Sequence, residues 1–387
     1  MKYPRRALAI LMLAALAVFL TLPRQATAQS TNEAQLTALA REAVEAQNDI
    51  LVGGDVETAL GRRRGTDSYR GAIAEHFPSL VRRKRALAKK KNDYKAHKTE
   101  LRIHSTFVEG ARATQNATEY VVLALDPALG GPTQTEYEQE HVFEYEKVGN
   151  RWVMIADRIP PPPLQTEVIE APAATPPTLD APADYQPQAG LGPRPGVDMG
   201  PTSSQGALFT KASYSGAKPF AYASYNGTAA AVYALTYWSS YNTAQYRTYS
   251  ENDCTNFISQ ALAYGGWPYD TSGERTGSNT WYYGSYTFNT SYSWAGAHNF
   301  FQFFWQSGRG IGANYFQDMV RGDILQADWG PSPDGGINHS MIVTNKDAYN
   351  TIYLTYHSTN TKNRSITDLL ASNPGTNWYG MRMYSGF

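Results

Sequence analysis

Disulfides are the first thing this sequence lacks: one cysteine, Cys254, stands among 387 residues, and a lone cysteine cannot close a bridge within its own chain. Charge of one sign is also lacking, because 34 Lys and Arg balance 34 Asp and Glu, so no overall field draws the chain to nucleic acid. No H-E-x-x-H run is present to mark a zinc hydrolase, and no G-x-S-x-G elbow to mark a serine hydrolase. After residue 22 no apolar run is long enough to cross a bilayer.

The first residues are different in kind. Lys2, Arg5 and Arg6 precede an apolar run from Ala7 to Leu22, and Ala26-Thr27-Ala28 follows. This is the three-part pattern of a secretory signal peptide over residues 1–28, with cleavage after Ala28. A membrane anchor is the rival reading, but a span takes about 20 apolar residues, and this shorter run is followed at once by Pro23 and Arg24. The expectation is a protein secreted or associated with the cell wall, where an idle thiol is exposed to oxidation. Cys254 is therefore a core thiol, an intermolecular bridge or a nucleophile, and the compartment favours the last.

Composition divides the remainder into three. Residues 30–159 read as an N-terminal α+β domain: helical spacing over Thr31–Gln47, a second helical region over Tyr69–His97, then an antiparallel meander. Its strands are expected at Leu101–Val108, Thr118–Leu125, Tyr137–Val148 and Arg151–Ile155, the last two joined tightly at Gly149-Asn150. The basic run "RRKRALAKKKNDYKAHK", Arg82–Lys98, reads as a solvated helix face, with an anionic polymer or lipid surface as its alternative partner. Residues 160–206, rich in Pro and Ala, read as an extended linker. From 207 to 387 charge thins and Tyr, Trp, Asn, Ser, Thr and Gly take over.

In this last part Ser250–Gly266 is bounded as a helix. Asp253 is placed to cap its start, Phe257, Ile258, Ala261 and Leu262 repeat on one face, and Gly265-Gly266 ends it. Cys254 falls in the first turn, where unpaired N–H groups and the helix dipole favour a thiolate and can hold an oxyanion. Such a nucleophile needs a histidine. His298 lies in an amphipathic helical stretch and reads as structural. His339 opens the strand-like "HSMIVT" and His357 closes "TIYLTYH", with turn residues "NKDAYN" between. A hairpin centred near Ala348 sets 339 across from 357, one to act on the thiol and the other to orient it.

"NDCTNFISQAL", "RGDILQAD", "INHSMIVT" and "YHSTNT", with the upstream "YNGTAAAVYALTYW", resemble the "putative amidase domain" family of bacterial exported proteins over about residues 222–385. That family is similar in layout to papain-like cell-wall hydrolases, the NlpC-type peptidases and CHAP amidases. The resemblance implies a helix bearing Cys254 as nucleophile packed on a small antiparallel sheet bearing His339 as general base and acid. The third member is left open between His357, by position, and Asn360, as an amide; Asp253 is secondary. The implied activity is hydrolysis of an amide bond, without a cofactor or a metal, in peptidoglycan peptides or at the glycan-peptide junction. Trp267, Trp281 and Trp294, with Tyr282 and Tyr283, are candidates for a substrate groove. A wall-binding module that does not cut is the alternative. Asn338-His339-Ser340 matches a glycosylation acceptor pattern and is read as accidental.

Overall fold

A computed structural model describes residues 32–160, 225–249, 252–284, 286–329 and 337–384. The expected signal peptide and nearly all of the linker lie outside the described residues.

Helix α1 covers residues 32–53 and buries Leu36, Ala40, Ala43, Val44, Ile50 and Leu51, the spacing of one helical face. Asp55 caps α2 (Val56–Gly61) by accepting from the Thr58 amide. After α3 (Arg70–Ile73), α4 (Phe77–Lys89) carries a proline in its first turn, where the missing N–H costs nothing. Helix α4 stops well short of the expected His97. Lys91 takes a positive φ of 55°, and the Asn92 amide turns back to Leu87 O at 2.9 Å, closing the helix from behind.

Strand β1 (Ala96–Glu109) then starts a meander with β2 (Arg112–Ala124), β3 (Gln134–Val148) and β4 (Arg151–Arg158). Each strand except β3 begins at least five residues earlier or runs later than its apolar core suggested, because polar residues such as His97, Lys98 and Thr99 continue the ladder. Gly149 at φ 60° makes the turn that pairs Val148 with Arg151. The helices cover one face, and Ala117, Phe143, Tyr145, Trp152 and Met154 fill the layer between. Beneath them lies a buried polar knot. His141 Nδ1 meets Asp157 Oδ1 at 2.7 Å, its Nε2 faces Glu119 Oε2 at 3.4 Å, and Gln47 Nε2 donates to Asp157 Oδ2 at 2.7 Å.

The second part supplies α5 (Gly227–Tyr237), α6 (Cys254–Tyr264), α7 (Tyr292–Ala295) and α8 (Ala297–Ser307), then β5 (Gly310–Gly312) and β6 (Ile324–Asp328). It continues with β7 (His339–Lys346), β8 (Ile352–Tyr356), β9 (Thr361–Ser365), α9 (Ile366–Ser372) and β10 (Asn377–Met383). The whole is mixed helix and antiparallel sheet, α+β, with helices preceding strands in the N-terminal part. One ten-stranded sheet runs through both parts in the order β1-β2-β3-β9-β8-β7-β6-β10-β5, with β4 also on β3.

The junction is β3, whose 15 residues serve two neighbours along one edge. Val142–Val148 pair with β4, while Glu136 and Tyr137 pair with Lys362 and Thr361 of β9. Side chains close the seam. Arg83 grips Asp368 with Nε to Oδ1 at 2.7 Å and Nη2 to Oδ2 at 2.9 Å, and Arg364 Nε reaches Oδ2 at 2.8 Å. Burial pushes the Asp368 carboxyl up, but the two guanidiniums outweigh it and hold it well below the usual carboxylate range. Arg83 is therefore buried rather than part of a solvated basic face.

Candidate active site

Helix α6 begins at Cys254 and is buried along nearly its whole length, from Cys254 to Ala263. Phe257, Ile258, Ala261 and Leu262 pack with Ala230, Tyr233 and Ala234 of α5 and Ile342 of β7. Its end is as expected: Gly265 lies so close to Asn226 O that a Cβ would stand 2.9 Å from it, and Gly266 turns away at φ 83°.

The start is different. Asp253 is helical, at φ −87° and ψ 0°, and makes no capping bond to the first turn. Its carboxylate instead accepts from the Tyr249 amide at 2.9 Å, Asn256 Nδ2 at 2.8 Å and His357 Nδ1 at 2.7 Å. The other ring nitrogen of His357 faces Tyr237 O at 2.9 Å, and the ring stacks on Phe257 at 3.8 Å and against Tyr241 at 4.2 Å. Both ring nitrogens of His357 stand within hydrogen-bonding distance of an oxygen. Asp253 and His357 thus bolt the front of α6 to the end of β8 and to the last turn of α5.

Cys254 is only 1% exposed. Burial raises its thiol, opposed by Thr255 through its hydroxyl and amide and by the Ser340 amide. The Thr255 hydroxyl sits 3.7 Å from Sγ and 2.9 Å from Ser340 Oγ. Ser340 Oγ also accepts from Gln326 Nε2 at 2.8 Å. The Ser340 side chain therefore faces α6, and alternation along β7 turns His339 to the strand's other side. There its ring stands 4.7 Å from Trp329 and 5.1 Å from Tyr356, edge to face. Burial lowers the His339 imidazole to about 3, and its Nε2 is buried without a hydrogen-bond partner. No hydrogen bond joins the thiol to this ring; the link between them is the Ser340 amide. In this closed arrangement thiol and imidazole are both neutral at pH 7.

The two histidines expected to meet do not. The pairing of Ile342 with Thr355 continues to Ser358, not His357, opposite His339. The reason is a β-bulge between Val343 and Asn345, which moves the register by one residue and sends the two rings to opposite faces. Asn360 is likewise elsewhere. Its Nδ2 donates to Glu138 Oε2 at 2.7 Å and its Oδ1 accepts from Tyr241 at 3.2 Å, so it belongs to the β3–β9 seam.

The tryptophan groove is also corrected. Trp267, Trp281 and Trp294 are core, with Trp281 centred 4.8 Å from Trp267 and 4.9 Å from Trp294. Their polar edges help to seat α6: Trp281 donates to Ser259 Oγ at 3.1 Å and Trp294 to Asn256 Oδ1 at 2.8 Å. Tyr283 is buried with them, whereas Tyr286 and Phe288 are exposed and stacked on each other at 5.0 Å. His298 lies at the front of α8 and faces Gln302, one turn on, with Nε2 to Nε2 at 2.9 Å. Thr255, Ser340 and Gln326 escaped the sequence reading, since hydroxyls and amides around a sulfur leave no spacing signature.

A buried cysteine opening a helix and held against a histidine-bearing strand can now be set beside known proteins. Residues 224–383 match the family model described as "Putative amidase domain". The amidase domain so delimited runs from α5 to β10, and the four strands β1 to β4 lie outside it. Two curated relatives from Bacillus subtilis (strain 168) are similar: the uncharacterized protein YhbB, 36% identical over 129 residues, and the uncharacterized protein YjcM, 32% identical over 148. These matches cover 33% and 36% of this chain and 39% and 32% of the relatives, so the chain spans well under half the length of either. No solved structure matches. The amidase domain points to amide-bond hydrolysis.

Proposed function

We propose that the chain is an exported cysteine amide hydrolase of papain-like layout, acting on peptide or glycan-peptide amides of peptidoglycan. The observation that carries this reading is Cys254 in the first turn of α6, its sulfur facing the Ser340 amide, next in sequence to His339. When substrate enters, the His339 imidazole takes the Sγ proton and sulfur attacks the carbonyl carbon, forming a tetrahedral oxyanion. The first-turn amides of α6, left uncapped by Asp253, are the donors for that oxygen, an effect worth about 3 kcal/mol per donor. His339 then passes the proton to the nitrogen as the C–N bond breaks, and water attacks the thioester to release the acid and restore the thiol. Because the closed site sets the His339 ring on the other side of β7, against Trp329 and Tyr356, the start of that strand has to turn over before the ring can reach the sulfur.

The test is mass spectrometry of purified peptidoglycan fragments incubated with the full chain, Cys254→Ala and His339→Ala. New fragments with wild type alone support the reading, and their masses identify the amide. Equal binding of fragments by wild type and Cys254→Ser, with no change of mass in either, assigns a binding role instead.

A further inference from the structure

Three buried polar side chains lead away from the Cys254 sulfur in single file. Thr255 Oγ1 stands 3.7 Å from Sγ, Ser340 Oγ stands 2.9 Å from Thr255 Oγ1, and Gln326 Nε2 donates to Ser340 Oγ at 2.8 Å. Each link has a structural reason. Thr255 follows Cys254 in α6, and the β6–β7 ladder sets Gln326 directly opposite Ser340, so both side chains lie on the face turned to the helix. Thr255, Ser340 and Gln326 are each 0% exposed, so no bulk water competes for their hydrogens.

The far end of the file fixes its direction. Gln326 Nε2 also donates to Ala297 O at 2.9 Å. Turning the amide over would set its oxygen against that carbonyl, so the nitrogen stays there and its two hydrogens go to Ala297 O and Ser340 Oγ. Holding them so leaves Gln326 Oε1 buried without a hydrogen-bond partner, an expense that packing alone does not explain. Ser340 Oγ receives one of these hydrogens and sends its own to Thr255 Oγ1, which leaves the Thr255 hydrogen for sulfur. We infer that Gln326 is a positioning residue: through Ser340 it turns the Thr255 hydroxyl into a hydrogen-bond donor to Cys254 Sγ and so favours the thiolate. Donors aligned in one direction strengthen one another. Burial raises the Cys254 thiol, the Thr255 hydroxyl leads the groups that oppose it, and the Ser340 amide follows. The titratable groups nearby offer no substitute. Asp253 adds to the rise, His357 is held by Asp253, and His339 lies on the other side of β7.

The inference rests on Cys254 as the nucleophile, and its test reads ionisation rather than hydrolysis. The full chain is labelled with carbon-13 at Cβ of its single cysteine, and the NMR shift of that carbon is followed against pH. Thr255→Val is expected to raise the midpoint by about 1 pH unit, which is about tenfold less thiolate below it, and Thr255→Ser to restore the wild-type value. Gln326→Met is expected to raise it by about half a unit in the wild-type background and to add nothing in Thr255→Val. Circular dichroism verifies folding, and Thr255→Ala takes the place of the valine variant if that one does not fold. An unchanged midpoint in the folded Thr255 variant overturns the inference. So does a Gln326→Met effect that persists without the Thr255 hydroxyl, because Gln326 would then act by packing. Peptidoglycan fragments left uncut by the wild type would fault the hydrolase reading and leave these midpoints standing.

Discussion

At the scale of single residues, burial sets the protonation of the site. Sulfur raised and imidazole lowered leave both groups neutral, and a neutral thiol is less reactive than a thiolate. Alkylation of the folded protein by iodoacetamide at pH 7 is expected to be slower than that of free cysteine and to rise steadily into alkaline pH. In His339→Ala the rate should stay within about twofold; a plateau from acid to neutral pH in the wild type would contradict the neutral pair. The same two environments shape stability. His339, lowered from 6.5 to about 3, stays neutral in the fold but protonates when unfolded, so its contribution is present above 6.5 and is lost as pH falls toward 3. His141 has the opposite sign: burial opposes its charge, but Asp157 and Glu119 raise it to about 10, so its contribution holds below 6.5 and is lost as pH rises toward 10. Melting temperature against pH should therefore flatten on the acid side in His339→Asn and on the alkaline side in His141→Gln. Cys254 itself was legible because it is the only thiol. Its surroundings were not, because Thr255, Ser340 and Gln326 meet only through tertiary packing.

Elements decide which of these residues meet. Helix α6 was readable from end to end, since Phe257, Ile258, Ala261 and Leu262 repeat at helical spacing and two glycines stop it. The β7–β8 hairpin was readable as a hairpin but not in register, because a bulge carries no composition signal and one residue of shift exchanges the faces. His357 was therefore found by position and given the wrong partner: it holds Asp253, and through it the segment that presents Cys254. Asp253→Ala removes a buried carboxylate and strands an imidazole, an amide and the Asn256 side chain, at a cost of about 3–5 kcal/mol. Urea unfolding should show the loss as a lower midpoint. His357→Gln, able to keep one bond, should fall in between; equal stability of all three proteins would remove the clamp from the account.

At the scale of the whole molecule, the sheet ignores the composition boundary. The sequence changes character between residues 160 and 206, which reads as two parts with separate tasks, yet β3 pairs with β9 and Arg83 reaches Asp368 across 285 positions. Nothing local announces such a contact; a basic run with one buried arginine looks like a basic run. Replacing Asp368 by Ala leaves Arg83 and Arg364 buried without their anion and should cost about 3–5 kcal/mol. Calorimetry of the wild type should give one cooperative transition, and Asp368→Ala should shift or split it; two well-separated transitions in the wild type would mean that the seam does not couple the parts.

The double duty of β3 bears on how the amidase domain behaves if it is cut free. Without residues 32–160, β9 becomes an outer strand whose backbone groups at Thr361 and Lys362 lack the partners that Glu136 and Tyr137 gave them. An open edge of that kind recruits a second copy. A precipitating or dimeric fragment would then report a missing neighbour, and its silence in an activity assay would say nothing about Cys254.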